Sequence, residues 1–190
     1  MSKNRPASEK LFEIAESQQG YFTYKQALSA GYYRDAAHFY TKSGEWLREK
    51  RGIYRLARFP ASDRPDLVLW SLWSTDRGGK VQGVYSYQTA LSLYAITDAN
   101  PAKLHITVPP KFRKFNSPPK GIVFHHAELK EGEINKQQGY FVTTPLKTLQ
   151  DMFSAQLMDA NEAKLAAKQA VQLGIMTPDE ADKVSSLKND

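Results

Sequence analysis

The stretch at residues 46–56 constrains this chain most. Trp46-Leu47-Arg48-Glu49 and Ile53-Tyr54-Arg55-Leu56 alternate apolar with polar residues on either side of Lys50-Arg51-Gly52. Such alternation around a glycine-containing turn is the pattern of a β-hairpin, with Gly52 where a positive φ is needed. A lone hairpin is marginal in water, so this one needs a core beside it, and the preceding residues supply one. Ser8 can cap a helix whose Leu11, Phe12, Ile14 and Ala15 recur at helical spacing until Gln19-Gly20 ends it. Thr23 can cap a second short helix, with Ala27 and Leu28 inward and Gly31 as its stop. A third helix is expected over residues 33–43, with Ala36, Ala37 and Tyr40 inward and Gly44 closing it. Three helices followed by a hairpin describe a winged helix-turn-helix.

Residues 59–65 carry two prolines among turn formers and read as a linker. Beyond it the pattern is mixed. Helical spacing recurs over residues 66–73, after Ser86, from Thr144-Pro145, over 162–173 and over 178–187, where Thr177 is the expected cap. Short β-prone runs lie at 104–108, 122–125 and 140–142. The expected fold is therefore α+β: a winged helix-turn-helix over residues 1–60, then a mixed α+β domain over 61–190 that ends in helices. At 190 residues and 41% hydrophobic, the chain can bury such cores. No apolar run approaches the roughly 20 residues of a spanning helix, and the polar first residues hold no secretory signal, so the expected compartment is the cytoplasm. With no cysteine, disulfides and thiolate chemistry are excluded.

The net charge of +6 is unevenly placed. Residues 1–60 carry 11 Lys and Arg against 6 Asp and Glu, and residues 151–190 carry 4 against 7. With residues 61–150 carrying 11 against 7 as well, the excess lies in the first two segments and points to a polyanionic partner, most simply double-stranded DNA. On the third helix Arg34, His38 and Lys42 are spaced by four and share a face, with Tyr33 at its entrance. Arginine can read guanine bidentately while lysine and tyrosine hold phosphates. In the hairpin Arg48, Lys50, Arg51 and Arg55 can follow a phosphate backbone or enter a narrow minor groove. Thr23 would position the second helix, and Lys25 could meet phosphate. A solvated charged face is the commoner fate of each feature taken singly; their succession favours DNA. Lys111, Arg113 and Lys114, interleaved with Phe112 and Phe115, are a possible second nucleic-acid contact, although the rings read better as packing residues.

Enzymatic chemistry finds less support. Glu128-Leu129-Lys130 with Asp98 upstream loosely matches a Mg²⁺-dependent nuclease site, which needs two converging carboxylates and a lysine. Asp98, however, sits in a turn-like run. His125 and His126 are adjacent on a strand and point to opposite faces, so no shared metal ligation is expected. His38 and His105 have no partner legible in the sequence. Gly78-Gly79-Lys80 lacks the rest of a phosphate loop and reads as a turn. No catalytic residue, metal or cofactor is assigned.

Several blocks carry a family resemblance. They are Gly20-Tyr21-Phe22-Thr23, Gln26-Ala27, Gly31, Gly44, Arg51-Gly52-Ile53-Tyr54-Arg55-Leu56, residues 85–94 (Tyr-Ser-Tyr-Gln-Thr-Ala-Leu-Ser-Leu-Tyr), Leu104-His105-Ile106-Thr107-Val108-Pro109 and residues 142–151 (Val-Thr-Thr-Pro-Leu-Lys-Thr-Leu-Gln-Asp). In this order, across residues 8–175, they resemble the AbiEi antitoxins. Two positions depart from the family pattern. Ala95 stands where the family often has glycine, and Tyr33 stands where the recognition helix commonly begins with a small polar cap. The resemblance implies a type IV antitoxin that binds repeats in its own promoter through the winged helix and represses the operon. It further implies that the C-terminal domain counteracts a nucleotidyltransferase-like toxin without a stable complex between them.

The leading expectation is a non-enzymatic repressor, with two copies self-associating on a repeated operator. The alternatives are a nuclease or nucleic-acid-modifying enzyme targeted by its winged helix, and a protein-binding winged helix, since the fold does not fix function.

Overall fold

Tyr21, Phe22 and Thr23 open the architecture, because neighbouring side chains on one short strand serve two different cores. The computed structural model describes residues 5–114 and 119–187. Two compact units divide the chain. The first runs through Gln82 and takes in Gln137–Tyr140; the second comprises Gly83–Lys136 and the residues from Phe141 onward.

In the first unit, α1 (Ala7–Glu16) buries Leu11 and Ala15. Pro6 holds its N-cap position with no side-chain bond, so Ser8 lies inside the helix and is not its cap. β1 (Tyr21–Thr23) leads into α2 (Tyr24–Ala30) through the expected cap. The Gln26 amide donates to the Thr23 hydroxyl, and the Gln26 side-chain oxygen accepts from the Thr23 amide at 2.7 Å. Gly31, at φ 107°, ends α2 in the left-handed conformation that glycine adopts freely. α3 spans Ala36–Lys42, shorter than expected. Residues 33–35 form a turn instead, fixed where the Tyr24 hydroxyl donates to the Arg34 carbonyl at 2.8 Å.

β2 (Trp46–Lys50) and β3 (Ile53–Leu56) form the wing, and the sheet order is β1-β3-β2, antiparallel throughout. Cross-strand partners share a face of a sheet, which sorts the side chains into two sets. Phe22, Trp46 and Tyr54 face α1, α2 and α3, joining Leu11, Ala15, Ala27, Ala30 and Ala36 in one core. Tyr21 and Ile53 face the other way, onto Val68 and Leu72 of α4 (Pro65–Trp73). That second core is why the first unit continues past the proline-rich stretch at 59–65 to include α4.

The second unit is built on a five-stranded sheet of β4 (Val84–Tyr85), β5 (Leu104–Val108), β6 (Ile122–His126), β7 (Ile134–Gln137) and β8 (Tyr140–Thr143), in the order β6-β5-β4-β8-β7. β5 runs antiparallel to β4 and parallel to β6. β4 is too short, and β7 too polar, to signal itself in the sequence. Helices α5 (Tyr87–Tyr94), α6 (Pro145–Ser154), α7 (Ala160–Gln172) and α8 (Pro178–Ser185) complete it. The small residues Ala163, Ala166, Ala167 and Ala170 on α7 pack with Leu91, Leu149, Met152 and Val184. Thr144 and Thr177 cap α6 and α8, and Asp159 caps α7. The observed α+β class and the N-terminal winged helix agree with the sequence reading.

Candidate nucleic-acid interface

α3 rests on Ala36, with Ala37 and Tyr40 partly covered, and its remaining residues face solvent. At about 100° per residue, His38 and Lys42 point almost directly away from that inner side. With its side chains α3 is about 10–12 Å across, close to the roughly 12 Å width of a major groove. Arg34 lies in the preceding turn and not on the helix, so the regular stripe reduces to His38 and Lys42, with Arg34 at its foot. Tyr33 stands there too, 53% exposed. Sequence reasoning missed Phe39, which is 55% exposed on the flank of the same surface. A helical wheel centred on Ala36 and Tyr40 would have placed it there.

The wing divides its cations between two sides. Arg48 pairs with Tyr54, so it shares the α3 side of the sheet, and it is exposed. Arg51 is exposed at the tip beside Gly52. Gly52 takes φ 76°, and its carbonyl accepts from the Tyr24 amide at 2.9 Å, which ties the turn to the start of α2. A register shift between Arg48 and Lys50 puts Lys50 opposite Ile53, on the α4 side. There its ammonium lies 4.3 Å from the centre of the Trp70 ring, a cation–π contact. Arg55 also faces the α4 side, with Leu47 and Tyr21 as cross-strand neighbours. Its guanidinium donates to Glu49 at 3.3 Å and to the Phe59 carbonyl at 3.2 Å. Lys50 and Arg55, expected beside phosphate, are thus directed into the fold and away from α3. The bulge and the second core that turn them are not visible in the local pattern.

Thr23 is occupied as the cap of α2, and the Lys25 ammonium donates to the Arg77 carbonyl. Residues 76–80 form the expected turn, closed by the Lys80 amide on the Asp76 carboxylate at 2.9 Å. That bond, the largest cause, holds the Asp76 carboxyl below its usual value.

In the second unit Lys111, Arg113 and Lys114 are exposed after β5, while Phe112 packs against Phe124 with ring centres 5.5 Å apart. The packing reading therefore holds for Phe112; Phe115 lies outside the described residues. Glu128, Lys130 and Asp98 are exposed in loops. No group of three or more His, Asp or Glu placed to hold a metal occurs among the described residues.

His105 does have a partner, contrary to expectation. Its Nδ1 lies 3.0 Å from Nε2 of His125 across the parallel β5–β6 pair, and the Tyr87 ring stacks on His125 at 3.7 Å. Burial, then His105 and His126, push His125 down to about 4. Burial, then Lys103, lowers His105. Nearby in sequence to none of these, Lys147 and Asp151 pair at 2.7 Å on α6, where burial raises the Asp151 carboxyl despite the lysine. These groups are engaged with one another.

Among the described residues no helix is long and apolar enough to cross a membrane. Comparison with known proteins bears on the first unit. The family described as "Transcriptional regulator, AbiEi antitoxin" matches residues 9–57. No curated protein matches the chain. The crystal structure of the RV2827C protein from Mycobacterium tuberculosis aligns with 98% of this chain and 83% of that one, at 10% identity and a TM-score of 0.49. The family match coincides with α1, α2, α3 and the wing, so the N-terminal winged helix is similar to that of the AbiEi antitoxin transcriptional regulators.

Proposed function

We propose that this protein is the antitoxin of a type IV toxin–antitoxin pair that binds operator repeats through its winged helix and represses its own operon. The observation that carries this reading is the surface of α3 and the wing tip. Arg34, His38, Lys42, Arg48 and Arg51 are exposed there, and their side chains make no ion pair or hydrogen bond among the described residues. Cations so placed suit a polyanion, and the family match over residues 9–57 supports DNA as that polyanion. Tyr33, Arg34, His38 and Lys42 would enter the major groove. Arg48 and Arg51 would hold phosphates, and Thr23 would fix α2 across the backbone. Lys50, Arg55 and Lys25 would act through the fold that presents the others.

One such module reads few base pairs, so two copies on a repeated operator are expected. The winged helix within residues 1–60 would bind DNA, and the chain over residues 61–190, whose α4 completes the first unit, would counteract a nucleotidyltransferase-like toxin in the cytoplasm, with no stable complex. Lys111, Arg113 and Lys114 would form a second nucleic-acid contact. Neither catalysis nor a cofactor enters this mechanism. Gel shifts of the full chain on its own upstream region and on random duplex test the DNA role. Preferential, salt-sensitive binding upstream is expected, and equal binding to both contradicts repression. Co-expression with a neighbouring nucleotidyltransferase-like reading frame tests the antitoxin role, with growth restored if the reading holds.

A further inference from the structure

Phe39 is the most exposed aromatic side chain of α3, at 55%, yet it is not loose. Its ring meets Tyr40 edge-on, with centres 5.1 Å apart and planes at 86°. Tyr40 stacks on the buried Trp46 at 5.0 Å and 21°, and Trp46 meets Phe22 edge-on at 4.8 Å. Tyr32 braces both Tyr40 and Trp46 at 5.3 and 5.1 Å. A row of rings thus runs from the core of the winged helix to the surface and ends in Phe39. An aromatic ring held in water by packing, beside His38 and Lys42 and on the side of the unit that bears Arg48, is arranged for contact. The cations around it select a polyanion over an apolar protein face.

We propose that Phe39 is a specificity-determining residue that reads thymine through its 5-methyl group. A phenyl ring has no hydrogen-bonding group. The major groove presents donors, acceptors and a single apolar feature, the thymine methyl. The ring therefore complements A·T pairs at the position it reaches, while His38 and Lys42 supply the polar contacts on either side. Because Tyr40 and Trp46 fix the ring before binding, little side-chain entropy is lost on contact. This inference rests on the DNA-binding reading and adds to it the base class read by one side chain.

The test starts from duplexes enriched from a randomised library by the full-length protein. Each thymine of the enriched sequence is replaced in turn by deoxyuridine, which removes only the methyl group, and affinity is followed by fluorescence anisotropy. One or two replacements are expected to weaken wild-type binding about fourfold each, the worth of one buried methyl. The same replacements should leave Phe39→Ala unaffected, and Phe39→Leu should keep part of the sensitivity. The salt slope should be the same for all three proteins, because no phosphate contact is lost.

Wild-type binding indifferent to every replacement overturns the proposal, as does a Phe39→Ala variant as sensitive as the wild type. In both cases salt-dependent binding of an enriched sequence leaves the DNA-binding reading standing. If no duplex is enriched and none binds, both fall together. Should Phe39→Ala fail to fold, the wild-type replacement series and Phe39→Leu still decide.

Discussion

Arg34, His38, Lys42, Arg48 and Arg51 in the first unit stand in solvent without partners among the described residues, whereas in the second unit comparable groups close on one another. His105 meets His125, Lys147 meets Asp151, and the hydroxyls of Thr143 and Thr148 bond at 2.7 Å out of contact with water. Paired polar groups inside a fold specify its geometry, because leaving one of them unpaired is costly. Unpaired cations on a surface specify nothing in the fold and repel one another, which leaves them open to an anionic partner. The wing repeats this contrast within a single hairpin. Arg48 and Arg51 are left outside, while Lys50 sits over Trp70 and Arg55 bonds Glu49 and Phe59.

The contrast breaks most visibly if the outward cations are removed. The triple variant Arg34→Ala, Lys42→Ala, Arg51→Ala is expected to lose roughly 100-fold or more in duplex affinity, with the salt slope falling by about one, because Arg51 alone of the three is placed on phosphate. Its melting temperature should hardly move, since exposed substitutions away from structural features stay within about 0.5 kcal/mol each. Anisotropy titrations at several salt concentrations, with thermal melts alongside, check this. A drop in melting temperature as large as the drop in affinity would mean that these side chains serve the fold after all.

The inward groups should answer to pH instead. His105 and His125 are both held below the ordinary histidine value, chiefly by burial. The unfolded chain therefore takes up protons first as pH falls. Stability present above pH 6.5 declines between there and about 4, where His125 titrates in the fold, and levels off below. Asp151 works in the opposite sense. Its raised carboxyl gains a proton in the folded chain before the unfolded one, which partly offsets the loss at the acid end. With the rings only half-covered, solvent screening leaves a net decline of about 1–2 kcal/mol. Melts between pH 7 and 4 measure it, and His125→Gln should flatten the profile.

Arg55→Ala tests the wing from its inner side. Loss of the Glu49 pair and the Phe59 carbonyl bond should cost about 1 kcal/mol of stability. Duplex affinity measured below the melting transition should change less than about twofold. Affinity falling as far as in an Arg51→Ala variant would return Arg55 to the interface and erase the division between the two faces.

What the sequence revealed follows the range over which each signal acts. The hairpin around Gly52, the Thr23 cap and the Gly31 stop depend on a few consecutive residues, and all three stand as read. The face of α3 was legible only in part, because Arg34 leaves the helix through a bond from Tyr24, ten positions earlier. The directions of Lys50 and Arg55 depend on a register shift and on α4, which covers the back of the sheet. The His105–His125 contact depends on the parallel pairing of β5 with β6. Such contacts are set by tertiary pairing, and no local periodicity encodes them. Phe39 is the exception. Its position on the wheel was available, but an aromatic residue among cations reads as core until the packed side of the helix is known.

Left-handed backbone is taken by different residues at different helix ends. Gly31 ends α2, whereas Ala95 at φ 52° ends α5 and Tyr87, also at φ 52°, begins it. A side chain at such an angle carries strain that glycine does not. The two positions nevertheless differ in what the strain holds. The Ala95 methyl is exposed, and its backbone amide already closes the helix on the Leu91 and Ser92 carbonyls. Ala95→Gly should therefore stabilise the chain by about 0.5–1 kcal/mol, after the greater freedom glycine gives the unfolded state is counted. That corresponds to a rise of about 1–4 °C in a thermal melt. Tyr87→Gly relieves the same angle but removes the ring stacked on His125, so it should destabilise. A stabilising Tyr87→Gly would show that the strained start of α5 supports nothing in the polar interior of the second unit.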